Sequence, residues 1–488
     1  MRRPVRTRAA ALLAVAVLGA TPEVPFTPTL PGGPTVPPPT AAVPAPTPPA
    51  ATPPAATPSG SPSATSGPVP AAPVLAAVGA GPRQPSTAGL RRVLDPLLRR
   101  TGLGSAVSAQ VVDLTTGRTL YERRADQVAV PASAAKLLTA AAALGVYGAD
   151  ERLRTTVLDG GPGKVVLVGG GDVLLAAGRG RPGDVVGRAG LADLADRAAR
   201  GLLDRGRTSA VVLVDDSLFT GPAVTPSWAP DVAAGFVAPV TAIAVNAGTR
   251  DPRAPLVAGE AVPRDGDPSL AAARTFARLL SARGVRVSTP VRRGSAPAGA
   301  PELARVESAP VARLVEHALS DSDNTVAEVL ARMVAVRTGE PGSAQAAGPA
   351  VLAQLRRLGI DTSGARLGSG SGLGTGTLVS ARTLSRTLVT AASAERGELR
   401  AVLSGLPVAG ASGTLADRFA GGGDRAALGV VRAKTGTLTG ASSLAGTVVD
   451  ADGRLLGFVV LADRVRSTLA ARSVLDATAA ALARCGCR

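Results

Sequence analysis

The chain has 488 residues, a formal net charge of +17, two cysteines and one histidine. Two cysteines near the C-terminus, Cys485 and Cys487, provide neither a disulfide framework nor a zinc spacing and are expected to be thiols. The single histidine, His317, excludes multi-histidine metal sites, and we expect it to be an ordinary helix residue.

The N-terminal region predicts export. Residues 1–20 combine a basic start with a twelve-residue apolar run, Ala9 to Ala20, which is too short to span a bilayer and is typical of a signal peptide. If it is not cleaved, it serves as a membrane anchor. Residues 21–84 are rich in Pro, Ala and Thr, which predicts a disordered tether. No other segment is expected to span a membrane.

The first half of the remaining chain alternates short β patterns with helical ones. Residues 110–126 predict a β-hairpin that turns at Thr116-Gly117, and a helix is expected to begin at Pro131. The β-rich runs at 164–175 and 209–219 flank a helical stretch, 191–206. A second helical stretch, 268–285, closes this region.

The second half of the chain has a different pattern of predicted elements. Residues 311–336 have apolar residues at helical spacing, and Asp452-Gly453 predicts a tight turn between antiparallel strands, before a last helix from about residue 467. We therefore expect one α+β domain, made of residues 85–153 and 298–488, interrupted by an inserted α/β-rich region at 154–297.

Ser133 and Lys136 are the first candidate catalytic pair. They are three positions apart in a predicted helix, so their side chains lie on one face. A serine hydroxyl needs a base to become a nucleophile, and a lysine can lose its proton where an arginine cannot. Of 53 cationic residues only three are lysines, and the third, Lys164, lies in an ordinary turn sequence. Burial and a second nearby cation are expected to lower the pKa of Lys136.

Two further motifs follow in order along the chain. Ser322-Asp323-Asn324 lies in the second helical region, and Lys434-Thr435-Gly436-Thr437 begins a predicted strand. Thr435 and Thr437 share one face of that strand, and Gly436 is expected to let a substrate approach its edge. Lys434 adds a positive charge, which favours an anionic substrate. Asp323 is assigned no chemistry.

With these three motifs, the chain resembles the penicillin-recognising serine enzymes, and more closely the D-alanyl-D-alanine carboxypeptidase/endopeptidase family of penicillin-binding protein 4. The resemblance covers nearly all of residues 85–488 and includes the phrases at 168–172, 236–246, 370–373 and 406–419. It implies a β-lactamase-like transpeptidase fold with an antiparallel sheet and a helical cluster. Ser369 departs from the aspartate usual in this family, which leaves the detail of its loop open.

The resemblance also implies roles for the motif residues. Ser133 would be the acylated nucleophile, Lys136 its general base, and Ser322 a proton relay to the leaving amine. Asn324 would hold the substrate peptide, while Lys434, Thr435 and Thr437 bind its terminal carboxylate. The backbone N–H groups of Ser133 and Thr437 would form the oxyanion hole.

The implied partners are peptidoglycan stem peptides ending in D-Ala-D-Ala, with β-lactams as inhibitors. No cofactor, metal or nucleic acid is expected. A class A β-lactamase remains an alternative, although residues 355–364 offer only Asp361 where that class uses a deacylating glutamate. A catalytically inactive peptidoglycan-binding protein is the other alternative.

Overall fold

The computed structural model of this chain describes residues 83–488. The predicted signal peptide and almost all of the predicted tether lie outside the described residues. The strands are β1 (Ala106–Asp113), β2 (Thr119–Arg123), β3 (Val128–Ala129), β4 (Arg152–Asp159), β5 (Lys164–Val168), β6 (Ser209–Asp215), β7 (Arg286–Arg293), β8 (Glu302–Pro310), β9 (Val379–Ser380), β10 (Val431–Leu438), β11 (Ala441–Val449) and β12 (Leu455–Asp463).

The helices lie singly or in succession before, between and after these strands. They are α1 (Thr87–Leu98), α2 (Lys136–Tyr147), α3 (Leu191–Leu203), α4 (Ala229–Ala233), α5 (Pro268–Ser281), α6 (Val311–Ser320), α7 (Asn324–Arg337), α8 (Ala344–Arg357), α9 (Ala381–Ala392), α10 (Ala401–Ser404) and α11 (Thr468–Ala483). No helix among residues 83–488 combines the length and the apolar character needed to cross a membrane.

The first large sheet is antiparallel, with strand order β10-β11-β12-β1-β2. On one side α1 and α11 pack together over it, because Leu90, Leu94 and Leu98 recur at helical spacing and point into the core. On the other side α9 contacts β1 and β12. The sheet is therefore buried on both faces.

A cluster of helices surrounds α2. Every residue from Lys136 to Leu144 is buried, and α2 contacts α6, α7, α8 and α9. A helix that is apolar on all sides belongs in a core, and the alanine-rich sequence lets its neighbours approach closely. The predicted α+β fold with an antiparallel sheet and a helical cluster is confirmed.

The second large sheet has the order β7-β6-β5-β4-β8. Strands β5, β6 and β7 are parallel, and α3 and α5 follow β5 and β6 and pack on the sheet through their apolar faces. Strands β4 and β8 pair antiparallel, so β8 joins this sheet although it lies beyond residue 297. The division of the chain into domains stays a prediction.

Several local predictions can be compared with the structure. The hairpin at 110–126 is confirmed by β1 and β2, the turn at Asp452-Gly453 joins β11 to β12, and the last helix begins at Thr468. The expectation of two C-terminal thiols is wrong, because Cys485 and Cys487 form a disulfide. The tail returns to α1, where Ser86 N donates to Cys487 O over 2.7 Å, and both cysteines are buried there.

Candidate active site

The candidate nucleophile lies in a tight turn rather than in the predicted α-helix. Residues Ala132–Ala135 form a 3₁₀ turn, and α2 begins only at Lys136. Ala132 has a φ of 47°, which a non-glycine residue adopts only when its surroundings hold it there. Side chains three residues apart eclipse one another in a 3₁₀ turn, so Ser133 and Lys136 still face each other.

The amine of Lys136 is surrounded by oxygen atoms. Its Nζ lies 2.9 Å from Ser133 Oγ, 2.5 Å from Asn324 Oδ1 and 3.0 Å from Ser371 O. The side chain is only 1% exposed. Burial lowers the pKa of Lys136 to about 7, although Glu328 and Asp323 act in the opposite direction.

The cause of this shift differs from the prediction in one respect. Burial, and not a neighbouring cation, accounts for the lowered pKa of Lys136. The repulsion between the two lysines acts on Lys434, whose pKa burial, Lys136 and Arg418 hold well below its usual value. Both amines are therefore poised to lose their protons more easily than a lysine in water.

The Ser-Asp-Asn motif interrupts the predicted helical region. Helix α6 ends at Ser320 and α7 begins at Asn324, because Ser322 has a φ of 58° and Asp323 caps α7 by accepting a hydrogen bond from Val326 N over 3.0 Å. Asn324 is held at both ends of its amide, since its Nδ2 also donates to Phe236 O over 3.0 Å. The break places Ser322 and Asn324 in the cleft next to Ser133.

Glu328 is a member of the site that the sequence reasoning missed. It is 3% exposed, and its carboxylate accepts hydrogen bonds from Ser371 N over 2.9 Å and from Gly370 N over 3.1 Å. These bonds fix the Ser371 carbonyl that contacts Lys136. Glu328 lies four positions after Asn324 on α7, so helical spacing could have identified it as a residue of the same face.

The loop that contains Ser369, where the family usually has aspartate, is held together by hydrogen bonds. Ser369 Oγ donates to Leu373 O over 3.0 Å and accepts from Gly372 N over 3.0 Å. The serine thus closes the loop on itself. Position 369 provides no carboxylate to this loop. The carboxylate that contacts the loop belongs to Glu328, which accepts from Gly370 N and Ser371 N.

Strand β10 forms one wall of the cleft. It is an edge strand, and Thr435, Gly436 and Thr437 line the cavity together with Ser133. Gly436 is needed for a reason that was not predicted: a Cβ there would clash with Pro131 O and Ser443 Oγ. The absence of a side chain therefore lets the Ser133 turn pack against the strand.

Lys434 shares with Gly436 the face of β10 that packs against the Ser133 turn. It is completely buried, its Nζ donates to Thr435 O over 3.1 Å, and it does not line the cavity. Strand alternation puts Lys434 on the opposite face from Thr435 and Thr437, and its charge interacts with Lys136 and Asp321 of the site. Arg264, Arg418 and Arg472 provide the guanidinium groups that do line the cleft.

The cleft is a cavity of about 380 Å³. Within the described part of the chain, no group of three or more His, Cys, Asp or Glu side chains is arranged to hold a metal ion. The arrangement can support one kind of chemistry, namely attack by a serine whose proton is taken by a buried amine.

Comparisons with known proteins agree with this geometry. The profile of the D-Ala-D-Ala carboxypeptidase 3 (S13) family matches residues 90–263 and 258–485. The chain is 39% identical over 408 residues to carboxypeptidase DacB of Mycolicibacterium smegmatis, covering 83% of this chain and 85% of that protein. It is 32% identical to the D-alanyl-D-alanine carboxypeptidase of Actinomadura sp., covering 84% and 88% of the two chains.

A solved structure shares the fold. Penicillin-binding protein 4 (dacB) of Haemophilus influenzae superposes with a TM-score of 0.62 at 21% sequence identity, covering 80% of this chain and 97% of that one. The family profile spans nearly all of the described residues and the sequence relatives match along most of their length. This chain therefore belongs to the D-Ala-D-Ala carboxypeptidase 3 (S13) family.

Proposed function

We propose that the chain is a serine DD-peptidase, a D-alanyl-D-alanine carboxypeptidase or endopeptidase that cleaves peptidoglycan stem peptides or cross-links through an acyl-enzyme on Ser133. One observation carries the proposal: a lysine amine with a pKa of about 7 lies 2.9 Å from a serine hydroxyl in a cleft. The two reaction types share this acyl-enzyme, since they differ only in the leaving amine.

The contacts of Lys136 suit a general base. A neutral amine has two N–H donors, which the Asn324 and Ser371 oxygens accept, and one lone pair, which then faces the Ser133 hydroxyl. The hydroxyl donates its proton to this lone pair as Ser133 Oγ attacks the scissile carbonyl. The ammonium form would instead donate to all three oxygens and could not accept the proton.

The remaining steps use the other motif residues. The backbone N–H groups of Ser133 and Thr437 would stabilise the tetrahedral oxyanion. The Ser322 hydroxyl, which has no hydrogen-bond partner among residues 83–488, would pass the proton from Lys136 to the departing amine. Water then attacks the acyl carbonyl while Lys136 takes its proton; the bond between Ser133 Oγ and the acyl carbon breaks, Lys136 returns the proton to Ser133 Oγ, and the shortened peptide leaves.

The carboxylate end of the substrate would bind along β10. The Thr435 and Thr437 hydroxyls can donate to it from the cleft face. Arg264 and Arg418 keep their charge when buried and give the cleft a positive potential. The Lys434 Nζ donates to the Thr435 carbonyl, and its charge interacts with Lys136 on the other side of the site.

β-Lactams are proposed to acylate the same serine. The Haemophilus influenzae relative was solved in complex with a β-lactam, and its fold matches with a TM-score of 0.59. Intact mass spectrometry after incubation with benzylpenicillin tests this: the wild-type chain should gain the mass of one penicillin, and Ser133→Ala should gain none. Release of D-alanine from a peptide ending in D-Ala-D-Ala tests the hydrolytic activity directly.

The two alternatives give different outcomes in the same assays. Rapid turnover of penicillin without D-alanine release would indicate a β-lactamase. A chain that gains no mass and releases no D-alanine would be a peptidoglycan-binding protein without activity, and the proposal would be wrong.

We further propose that the enzyme acts outside the cytoplasmic membrane, after removal of residues 1–20, on a tether formed by 21–84. The domain division proposed with it assigns 85–153 and 298–488 to the peptidase and 154–297 to an insertion. Sequencing the N-terminus of the exported protein tests the first part, since an intact Met1 in the cytosol would contradict it. Limited proteolysis tests the second, with cuts expected in the loops next to β4 and β8, because residue 153 itself lies in the paired strand β4.

A further inference from the structure

His317 lies at the base of the turn that carries Ser322. Its side chain is 7% exposed, with Nδ1 2.9 Å from Asp321 Oδ2 and Nε2 3.3 Å from Asp323 Oδ2. A carboxylate faces each ring nitrogen, so both nitrogens must donate, and only the imidazolium form has two N–H groups. The single histidine of the chain is therefore built into the Ser-Asp-Asn motif as a cation.

The charges of this cluster support one another. Burial lowers the pKa of His317, but hydrogen bonds and attraction to Asp321 and Asp323 outweigh it and raise the pKa to about 9. Burial likewise raises the pKa of Asp323, while His317, Val326 N and Arg264 lower it to about 2. At neutral pH His317 is therefore an imidazolium and Asp323 a carboxylate.

The ring joins the residues on either side of a strained position. Ser322 has the left-handed φ of 58°, which costs a non-glycine residue conformational energy. Asp321 precedes it and accepts at its backbone oxygen from Gly259 N over 3.1 Å, while Asp323 follows it and caps α7. If the His317 bridge is lost, Asp321 and Asp323 each lose one hydrogen bond. The residues on both sides of Ser322 are then held less firmly in this conformation.

We propose that His317 is a positioning residue: bridging Asp321 and Asp323 as an imidazolium, it holds Ser322 and Asn324 in place for the reaction at Ser133. The inference rests on the proposed function, because the turn matters only if Ser322 and Asn324 serve catalysis. Asn324 follows the bridge directly and contacts Lys136 Nζ at 2.5 Å, so a shift of the turn reaches the general base.

Other charged groups face the cluster from the neighbouring elements. Arg264, from the segment before α5, lowers the pKa of Asp323, and Asp323 in turn raises the pKa of Lys136. Asp321 acts on Lys434 of β10 in the same direction. Lys136, with a pKa of about 7, has already lost its proton where His317 titrates, whereas the Arg264 guanidinium keeps its charge, so the change near pH 9 is the loss of the bridge across Ser322.

If His317 holds this turn, its loss of a proton should lower the acylation rate at high pH. The pKa of His317 is about 9 in the folded chain against 6.5 for a free histidine, so the bridge contributes fully below pH 6.5 and is lost as the pH rises through about 9. Acylation should therefore fall above pH 9 in the wild type. Misplacing reacting groups by about 1 Å can cost on the order of a hundredfold in rate.

The first experiment observes the bridge without relying on activity. Because the chain contains one histidine, ¹⁵N-histidine labelling gives a single imidazole to titrate by NMR in the full-length protein. Two ring N–H signals and a midpoint near pH 9 are expected. A midpoint at or below 6.5 would show that no imidazolium bridge exists and would overturn the proposal.

The second experiment measures the rate of acylation by a fluorescent penicillin from pH 6 to pH 10. His317→Gln should slow acylation at pH 7 by about ten- to a hundredfold and abolish the fall above pH 9. Arg313→Gln, an exposed position on the same helix, is the matched control and should change neither feature. Thermal melts of both variants at pH 7 separate loss of rate from loss of folding.

The results separate a failure of the proposed function from a failure of the positioning role of His317. If the wild type is not acylated at any pH, the proposed function fails and the positioning role fails with it, whatever the titration shows. If the wild type is acylated and folded His317→Gln keeps its rate and its alkaline limb, the function stands and the positioning role is wrong.

Discussion

Replacing Lys136 by arginine separates a base from a structural cation. Arginine keeps a positive charge and a good helix propensity, but a guanidinium stays protonated at any pH that the protein experiences. If the lysine served only as a cation for Asn324 and Ser371, the substitution would preserve its contacts in kind. If it takes the Ser133 proton, the substitution removes the reaction.

The structure sets the size of both effects. A pKa of about 7 means that about half of the Lys136 amines are neutral at pH 7 and only about 1% at pH 5, so the wild-type acylation rate should fall about a hundredfold below its plateau at pH 5. Loss of a general base costs on the order of a hundred- to ten-thousandfold in rate. Lys136→Arg should show this loss at every pH and no acid limb.

The assay is the rate of acylation by labelled penicillin as a function of pH, with thermal melts to follow folding. Arginine is larger than lysine and the site is closed, so overpacking of about 1–3 kcal/mol is expected in the melts. Lys164→Arg, at an exposed position, is the control and should behave as the wild type. A folded Lys136→Arg variant that acylates within about threefold of the wild type would refute the assignment of the base.

Three further changes test the surroundings of the site. Glu328→Gln removes a charge that raises the pKa of the general base, so the acid limb of acylation should move to lower pH, and a move to higher pH would contradict the argument. Gly436→Ala should slow acylation by about tenfold or more, because its Cβ clashes with the turn of the nucleophile, whereas Gly397→Ala has open space and should be silent in the same assay. Arg418→Ala leaves Asp476 buried without its partner and should lower the free energy of unfolding by on the order of 3–5 kcal/mol in urea titrations; a loss below about 1 kcal/mol would show that the pair is solvated.

The parts of the site formed by residues close in the chain could be predicted from the sequence. A serine and a lysine three positions apart face each other whether the backbone is α-helical or 3₁₀, so the pairing of Ser133 with Lys136 did not depend on the helix boundary that was predicted wrongly. Strand alternation likewise predicts that Thr435 and Thr437 share a face. Such inferences use spacings that tertiary structure does not change.

The missed residues depend on contacts between distant segments. Glu328 belongs to the site because it accepts a hydrogen bond from a loop more than forty positions away in the chain. No periodic pattern in the sequence indicates that this loop packs against α7. The break at Ser322 was missed although residues 320–325 are all polar and Asp323 is a favourable N-cap, because the apolar spacing on either side resembles one continuous helix. The side of β10 that holds Lys434 was predictable, but its burial was not.

The pairing of β4 with β8 has a consequence for how the chain can be rebuilt. These strands contain the first and last residues of the second large sheet, and Arg152 lies opposite Pro310 in their ladder. The chain thus returns to within one strand spacing of the point where it departed, after about 160 residues. Joining residues 152 and 310 by a short turn would close a gap that the native fold already closes, with little loop-closure entropy. The segment between them is nevertheless part of the core around α2 and α6, since Trp228 and Val237 pack there and Phe236 O accepts from Asn324, so a shortened chain has to replace these contacts.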